Sequence, residues 1–91
     1  MVGVIRSTEV RRSLVEIFAT VLGVPETAVT DDLSPDTCAT WDSLRHIQLC
    51  TAIDQSFGIA LDITQQVEML NFGLAVDTVT SALEPAGPGG G

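Results

Sequence analysis

Trp41-Asp42-Ser43-Leu44-Arg45-His46-Ile47-Gln48-Leu49-Cys50-Thr51-Ala52-Ile53-Asp54-Gln55-Ser56-Phe57-Gly58 decides how this chain is read. Asp42 is a good N-cap, because its carboxylate can accept bonds from the unpaired N–H groups of a first turn. Gly58 is a good stop, because glycine tolerates the left-handed conformation that ends helices. Between them, residues advance by ~100° each on a helical wheel. His46, Leu49, Cys50, Ile53 and Phe57 then fall on one side, which is the expected core stripe. Leu44, Ile47 and Thr51 fall nearly opposite, flanked by Gln48 and Asp54-Gln55. A helix in a small bundle needs one buried stripe, so the second apolar face is expected to meet solvent or a partner.

Helical spacing continues on both sides. Ser7 or Thr8 is expected to cap a first helix carrying Val10, Leu14, Ile17, Phe18, Val21 and Leu22 on one face, with Gly23 and Pro25 ending it. Residues 24–42 hold Pro25, Pro35, Asp31-Asp32 and several threonines without a sustained period. They read as a long ordered loop pinned to the core by Val24, Val29 and Leu33; loops of this length in small domains tend to be functional. Asp62 or Thr64 opens a short third helix through Met69. Asn71 is expected to cap a last helix, with Phe72, Ala75, Val76, Val79 and Leu83 on a broad face. Strand and hairpin signals are weak throughout. The expectation is an all-α four-helix bundle: three long helices, a short third one, and a long loop between helices 1 and 2. Residues 1–6 read as an N-terminal extension, 7–84 as the domain and the Pro/Gly-rich 85–91 as a flexible tail.

Ninety-one residues suffice for one modest core. Twelve acidic residues stand against four arginines and no lysine, a net charge of −8. Such a field repels nucleic acid and anionic membrane surfaces and favours partners with basic patches. No stretch of the sequence is long and apolar enough to span a membrane, and the N-terminus lacks a signal-peptide pattern, which points to the cytoplasm. Cys38 and Cys50 have neither zinc-site spacing nor the number a disulfide scaffold needs. They are expected as reduced thiols, Cys50 packed as a small apolar group, and no metal site is expected.

Ser43 follows the cap, in a first turn where free N–H groups and the helix dipole favour a negative charge. A phosphodiester on its hydroxyl would be at ease there, although Asp-Ser before an apolar run is also an ordinary capping pair. His46 shares a face with Ser43, so a serine–histidine dyad is conceivable on spacing. The sequence shows no obvious third group to orient this histidine, however, and its place on the core stripe favours a hydrogen-bonded structural role.

The stretch from Trp41 to Leu49 resembles the Asp-Ser-Leu signature of acyl carrier proteins. The likeness extends over about residues 9–83: the amphipathic first helix, the long loop, Phe57-Gly58, Leu61 before the short helix, and Asn71-Phe72 opening the last. The resemblance implies that a phosphopantetheinyl transferase attaches the 4'-phosphopantetheine arm of coenzyme A to Ser43, with Asp42 beside it. The chain would then be non-catalytic and would present acyl groups to a loading enzyme, and to a ketosynthase, acyltransferase or other tailoring enzymes. Leu44, Arg45, Ile47, Gln48 and Thr51 would form the partner-docking face. Leu49, Ile53, Leu61, Met69, Ala75 and Val79 match inner walls that shelter acyl chains in some members, and read otherwise as plain core. A monomer is expected.

The chain departs from fatty-acid-synthesis carriers at several positions. Arg45, His46, Gln48 and Gln55 stand where those are rich in acids, and Trp41 replaces a common glycine. Trp41 and His46 together resemble discrete carriers of specialised, polyketide-type pathways. Two alternatives remain open: an aminoacyl or peptidyl carrier of a nonribosomal-peptide-type pathway, and an unmodified helical adaptor that binds through Leu44 and Ile47.

Overall fold

The computed structural model describes residues 2–83, with side chains from Thr8 onward. Four α-helices follow in order: α1 (Val2–Leu22), α2 (Ser43–Phe57), α3 (Ile63–Glu68) and α4 (Phe72–Leu83), with a short 3-10 turn at Glu26–Ala28. Among the described residues there is no strand. Helix α1 begins at Val2, ahead of the cap expected at Ser7 or Thr8. No proline interrupts residues 2–8, and serine and threonine are only mildly unfavourable inside a helix. The proposed tail, 85–91, lies outside the described residues.

The core is one cluster with α1 at its centre, onto which α2 and α4 pack. Val10, Leu14, Phe18 and Leu22 are fully buried along α1, while Ile17 and Val21 are half-buried. Phe18 is the hub: Trp41 meets its ring edge-on at 5.3 Å and Phe72 at 5.0 Å. Leu49, Cys50 and Ile53 close the core from α2, and Phe72, Ala75, Val76 and Val79 from α4. His46 and Phe57, expected on the same stripe of α2, are half-buried at its edges. Cys38 and Cys50 are free, buried thiols.

Backbone groups at the helix ends are satisfied in ways that fix the loop. Gly23, at φ +70°, ends α1 and donates to the Ala19 carbonyl. Two carbonyls of the last turn of α1 then accept from downstream residues: Leu22 O from the Thr40 hydroxyl (2.7 Å) and Val21 O from Arg45 Nη1 (3.2 Å). Orphan carbonyls of a helix C-terminus favour such donors, especially cationic ones. At the start of α4, the Phe72 and Gly73 N–H groups donate to Leu33 O and Asp31 O, both at 2.9 Å. Asn71 Oδ1 accepts from the Leu74 N–H, the expected cap. The approach is close enough that a Cβ on Gly73 would lie 3.3 Å from Asp31 O. Residues 24–42 are thus an ordered strap bonded at both ends, and Val29, Leu33, Cys38 and Trp41 bury beneath it.

Candidate functional site

The strap ends on Trp41 and delivers the chain into α2. Asp42 has extended backbone angles, and its carboxylate accepts the Arg45 N–H at 2.9 Å, so it is the N-cap. Ser43 is therefore the first helical residue and is exposed. Among the described residues, no hydrogen bond occupies its hydroxyl. The N–H groups of this first turn and the dipole of the fifteen-residue α2 favour negative charge beside it.

Ser43 stands at the mouth of an apolar groove of about 480 Å³ between the start of α2 and the far end of α3. Pro35, Trp41, His46, Ile47, Val67, Met69 and Leu70 line it together with Ser43 and Asp42, and Asp42 is its only acidic lining residue. The volume lies within the ~300–1,000 Å³ of small-molecule sites. A phosphodiester on Ser43 would meet the helix N-terminus, and the body of a pantetheine arm has this groove beside it, so the residues present fit such a group.

The second face of α2 is exposed as its wheel requires. Leu44 is 60% and Ile47 61% exposed, and Gln48 and Thr51 are also in solvent. Val67 on α3 and Leu70 beyond it are also exposed and share the groove with Ile47, and Ile63 is exposed at the start of α3. That extension escaped the sequence reading. Its signal is the spacing of Ile63 and Val67 on a six-residue helix whose flanking residues Leu61 and Met69 take the buried positions. Contiguous exposed apolar surface of this kind marks interaction sites. Arg45, expected on the same face, is less exposed than its neighbours there. It is half-buried, with its guanidinium on the end of α1, so it holds the site to the scaffold.

His46 is held from both sides. Trp41 Nε1–H donates to its Nδ1 at 3.0 Å, and the two ring planes lie within 15° of parallel with centroids 6.0 Å apart. Indole nitrogen is a donor only, so Nδ1 is the acceptor and the ring proton sits on Nε2. Nε2 then donates to the Gln66 carbonyl of α3 at 2.8 Å. Both nitrogens are engaged away from Ser43, so this arrangement has no base aimed at the hydroxyl. Cys50, elsewhere on α2, has its thiol pushed up to about 11 by burial and by the Asp54 carboxylate.

The six residues expected as acyl-pocket walls, Leu49, Ile53, Leu61, Met69, Ala75 and Val79, are all packed core, each at most 6% exposed. Of these, only Met69 also lines the groove. Compared with models of known families and with curated proteins, the chain finds no match in either.

Proposed function

We propose that the chain is a carrier protein of the acyl carrier type, bearing a 4'-phosphopantetheine arm on Ser43. The observation that carries this reading is an exposed serine hydroxyl, without a hydrogen-bond partner among the described residues, at the first turn of a capped helix and at the mouth of an apolar groove. When bound, the arm supplies a terminal thiol that holds a cargo acid as a thioester. The protein's own residues supply the rest. Asp42 fixes the start of α2 and so the point on the first turn from which the Ser43 side chain projects. The first-turn N–H groups favour the phosphodiester charge. Leu44 and Ile47 offer exposed apolar contacts to the transferase and to the enzymes that load and use the cargo. His46, with both nitrogens engaged, favours a non-catalytic role.

Trp41 and His46 incline the reading towards a monomeric, cytoplasmic carrier of specialised, polyketide-type biosynthesis, serving ketosynthases, acyltransferases or tailoring enzymes. An aminoacyl or peptidyl cargo is separated from an acyl one by which loading enzyme accepts the protein.

The test is intact mass after incubation with coenzyme A, magnesium and a broad-specificity phosphopantetheinyl transferase. The parent should gain one phosphopantetheine and Ser43→Ala none. If a folded parent gains nothing while Ser43→Ala retains partner binding, the adaptor reading through Leu44 and Ile47 takes its place.

A further inference from the structure

Trp41 and His46 stand on either side of Asp42-Ser43-Leu44-Arg45. The bond from Trp41 Nε1–H to His46 Nδ1, at 3.0 Å, closes the turn that these four residues make. Two more bonds cross the same turn. The Arg45 N–H donates to Asp42 Oδ1 and the His46 N–H to the Asp42 carbonyl, both at 2.9 Å. Only the Trp41–His46 bond runs to a side chain held in the core: Trp41 is 2% exposed, with its ring edge-on to Phe18 of α1. That bond therefore ties the first turn of α2, and Ser43 within it, to the scaffold.

The bond exists for one protonation state of His46. Indole nitrogen only donates, so Nδ1 has to be bare. A proton added at Nδ1 would set N–H against N–H and remove the bond, whereas Nε2–H on the Gln66 carbonyl is a donor in either state and survives. Histidine is the side chain whose charge ordinarily changes between about pH 5 and 8. The surrounding charges are otherwise occupied. On the strap, Asp42 already accepts the Arg45 N–H, and Asp36 is exposed and does not line the groove. Within α2, Arg45 turns its guanidinium to Val21 O, and Cys50, one turn on, is a buried thiol. Helix α3 presents the uncharged Gln66 carbonyl, and its Glu68 is exposed in a separate groove beside Leu74 and Asp77 of α4. Among the described residues the indole N–H has no second acceptor, and an N–H left unpaired inside a core is costly. The closed turn is thus present at neutral and alkaline pH and is lost as pH falls through the histidine range.

We propose that Trp41 and neutral His46 form an acid-labile staple across the Ser43 turn, which makes His46 a positioning residue for phosphopantetheine transfer. His46 touches none of the reacting atoms; it acts through the turn that carries the serine. The consequence for transfer rests on the carrier reading, whereas the staple itself rests on the hydrogen bond alone.

Trp41 is the only tryptophan and His46 the only histidine, so each gives a single signal. The indole N–H resonance of the unmodified full chain is followed from about pH 8 to about pH 5, alongside the His46 ring signals. In the parent the two should titrate together. In His46→Gln the indole signal should stay in place, because glutamine offers an acceptor and a donor but does not titrate. Initial rates of phosphopantetheine transfer are then measured on both proteins across the same range, with melting curves to show that they are folded. The ratio of parent to His46→Gln cancels the transferase's own pH dependence. It should fall about fivefold towards acid, the equivalent of one net hydrogen bond. His46→Ala, with no acceptor, should be slower than His46→Gln at the alkaline end and should run parallel to it. An indole signal that ignores the His46 titration overturns the staple. A titrating indole with a flat rate ratio overturns the positioning role. A folded chain that takes up no phosphopantetheine at any pH removes the carrier reading and the positioning role with it, a failure told apart from the others by its titrating indole.

Discussion

Ile47→Glu and Leu49→Ala, made separately, perturb opposite faces of one helix two residues apart. Ile47 is 61% exposed, so roughly two-fifths of it is covered. Full burial of such a side chain is worth ~1.5–3 kcal/mol, which bounds its contribution at about 1 kcal/mol, and the methylenes of glutamate recover part of that. For a domain of this size, the melting temperature should fall by no more than about 4–8 °C. Leu49 is 0% exposed. Its truncation removes transfer energy and leaves a cavity, at ~2–5 kcal/mol, so a fall of at least about 10 °C is expected. Function should sort the other way. Ile47→Glu places a charge in the proposed docking face, and the initial rate of phosphopantetheine transfer should drop roughly tenfold, equivalent to ~1.4 kcal/mol at a contact hot spot. Leu49→Ala, assayed well below its melting point, should stay within about threefold of the parent, because it touches no partner. Melting curves and transfer rates on the same samples decide it. An Ile47→Glu protein that melts as low as Leu49→Ala, or that is modified at the parental rate, would refute the two-faced account of α2.

Asp42→Ala removes the carboxylate that accepts the Arg45 N–H and should cost ~1 kcal/mol, read as a lower urea midpoint with an unchanged slope. Arg45→Glu breaks the bond to Val21 O and sets a negative charge against the carbonyl end of α1; a loss of ~0.5–2 kcal/mol in denaturant melts is expected, larger than for an ordinary surface charge. Cys50 should resist maleimide in the folded protein at pH 8 and react once unfolded, since burial holds it as a thiol up to about pH 11. The unfolded thiol releases its proton near 9.0, so the folded state alone keeps it between these values, and stability should fall as pH rises from about 9 to 11. A Cys50→Ala variant should lose that part of the alkaline slope.

The three long helices and the short one follow from features visible in the chain: the apolar spacing of Val10, Leu14 and Phe18, the caps Asp42, Asp62 and Asn71, and the stops Gly23 and Gly58. These are local signals, and local structure obeys them. The start of α1 did not follow from them, because Ser7 and Thr8 cap only where the chain before them leaves the helix, and nothing in Val2 to Arg6 forces it to leave. At the site, the exposure of Leu44 and Ile47 was legible because α2 carries two apolar faces and the core can cover one. The partners of His46 were not. The wheel placed it on the core stripe, at whose edge it lies half-buried, but Trp41 comes from the strap and Gln66 from α3, and no spacing rule joins those elements. The acceptor of Arg45 was hidden for the same reason: it is a backbone carbonyl on a different helix.

The central claim is that Ser43 carries the arm, and its most direct test is a peptide map of the chain recovered from its own cells, where any transferase that acts on it is present. The account predicts a phosphopantetheine on the peptide that contains Ser43, localised to that hydroxyl by fragmentation and absent from Ser43→Ala. A folded protein whose Ser43 peptide is recovered only unmodified, or whose phosphopantetheine lies on another residue, would contradict it.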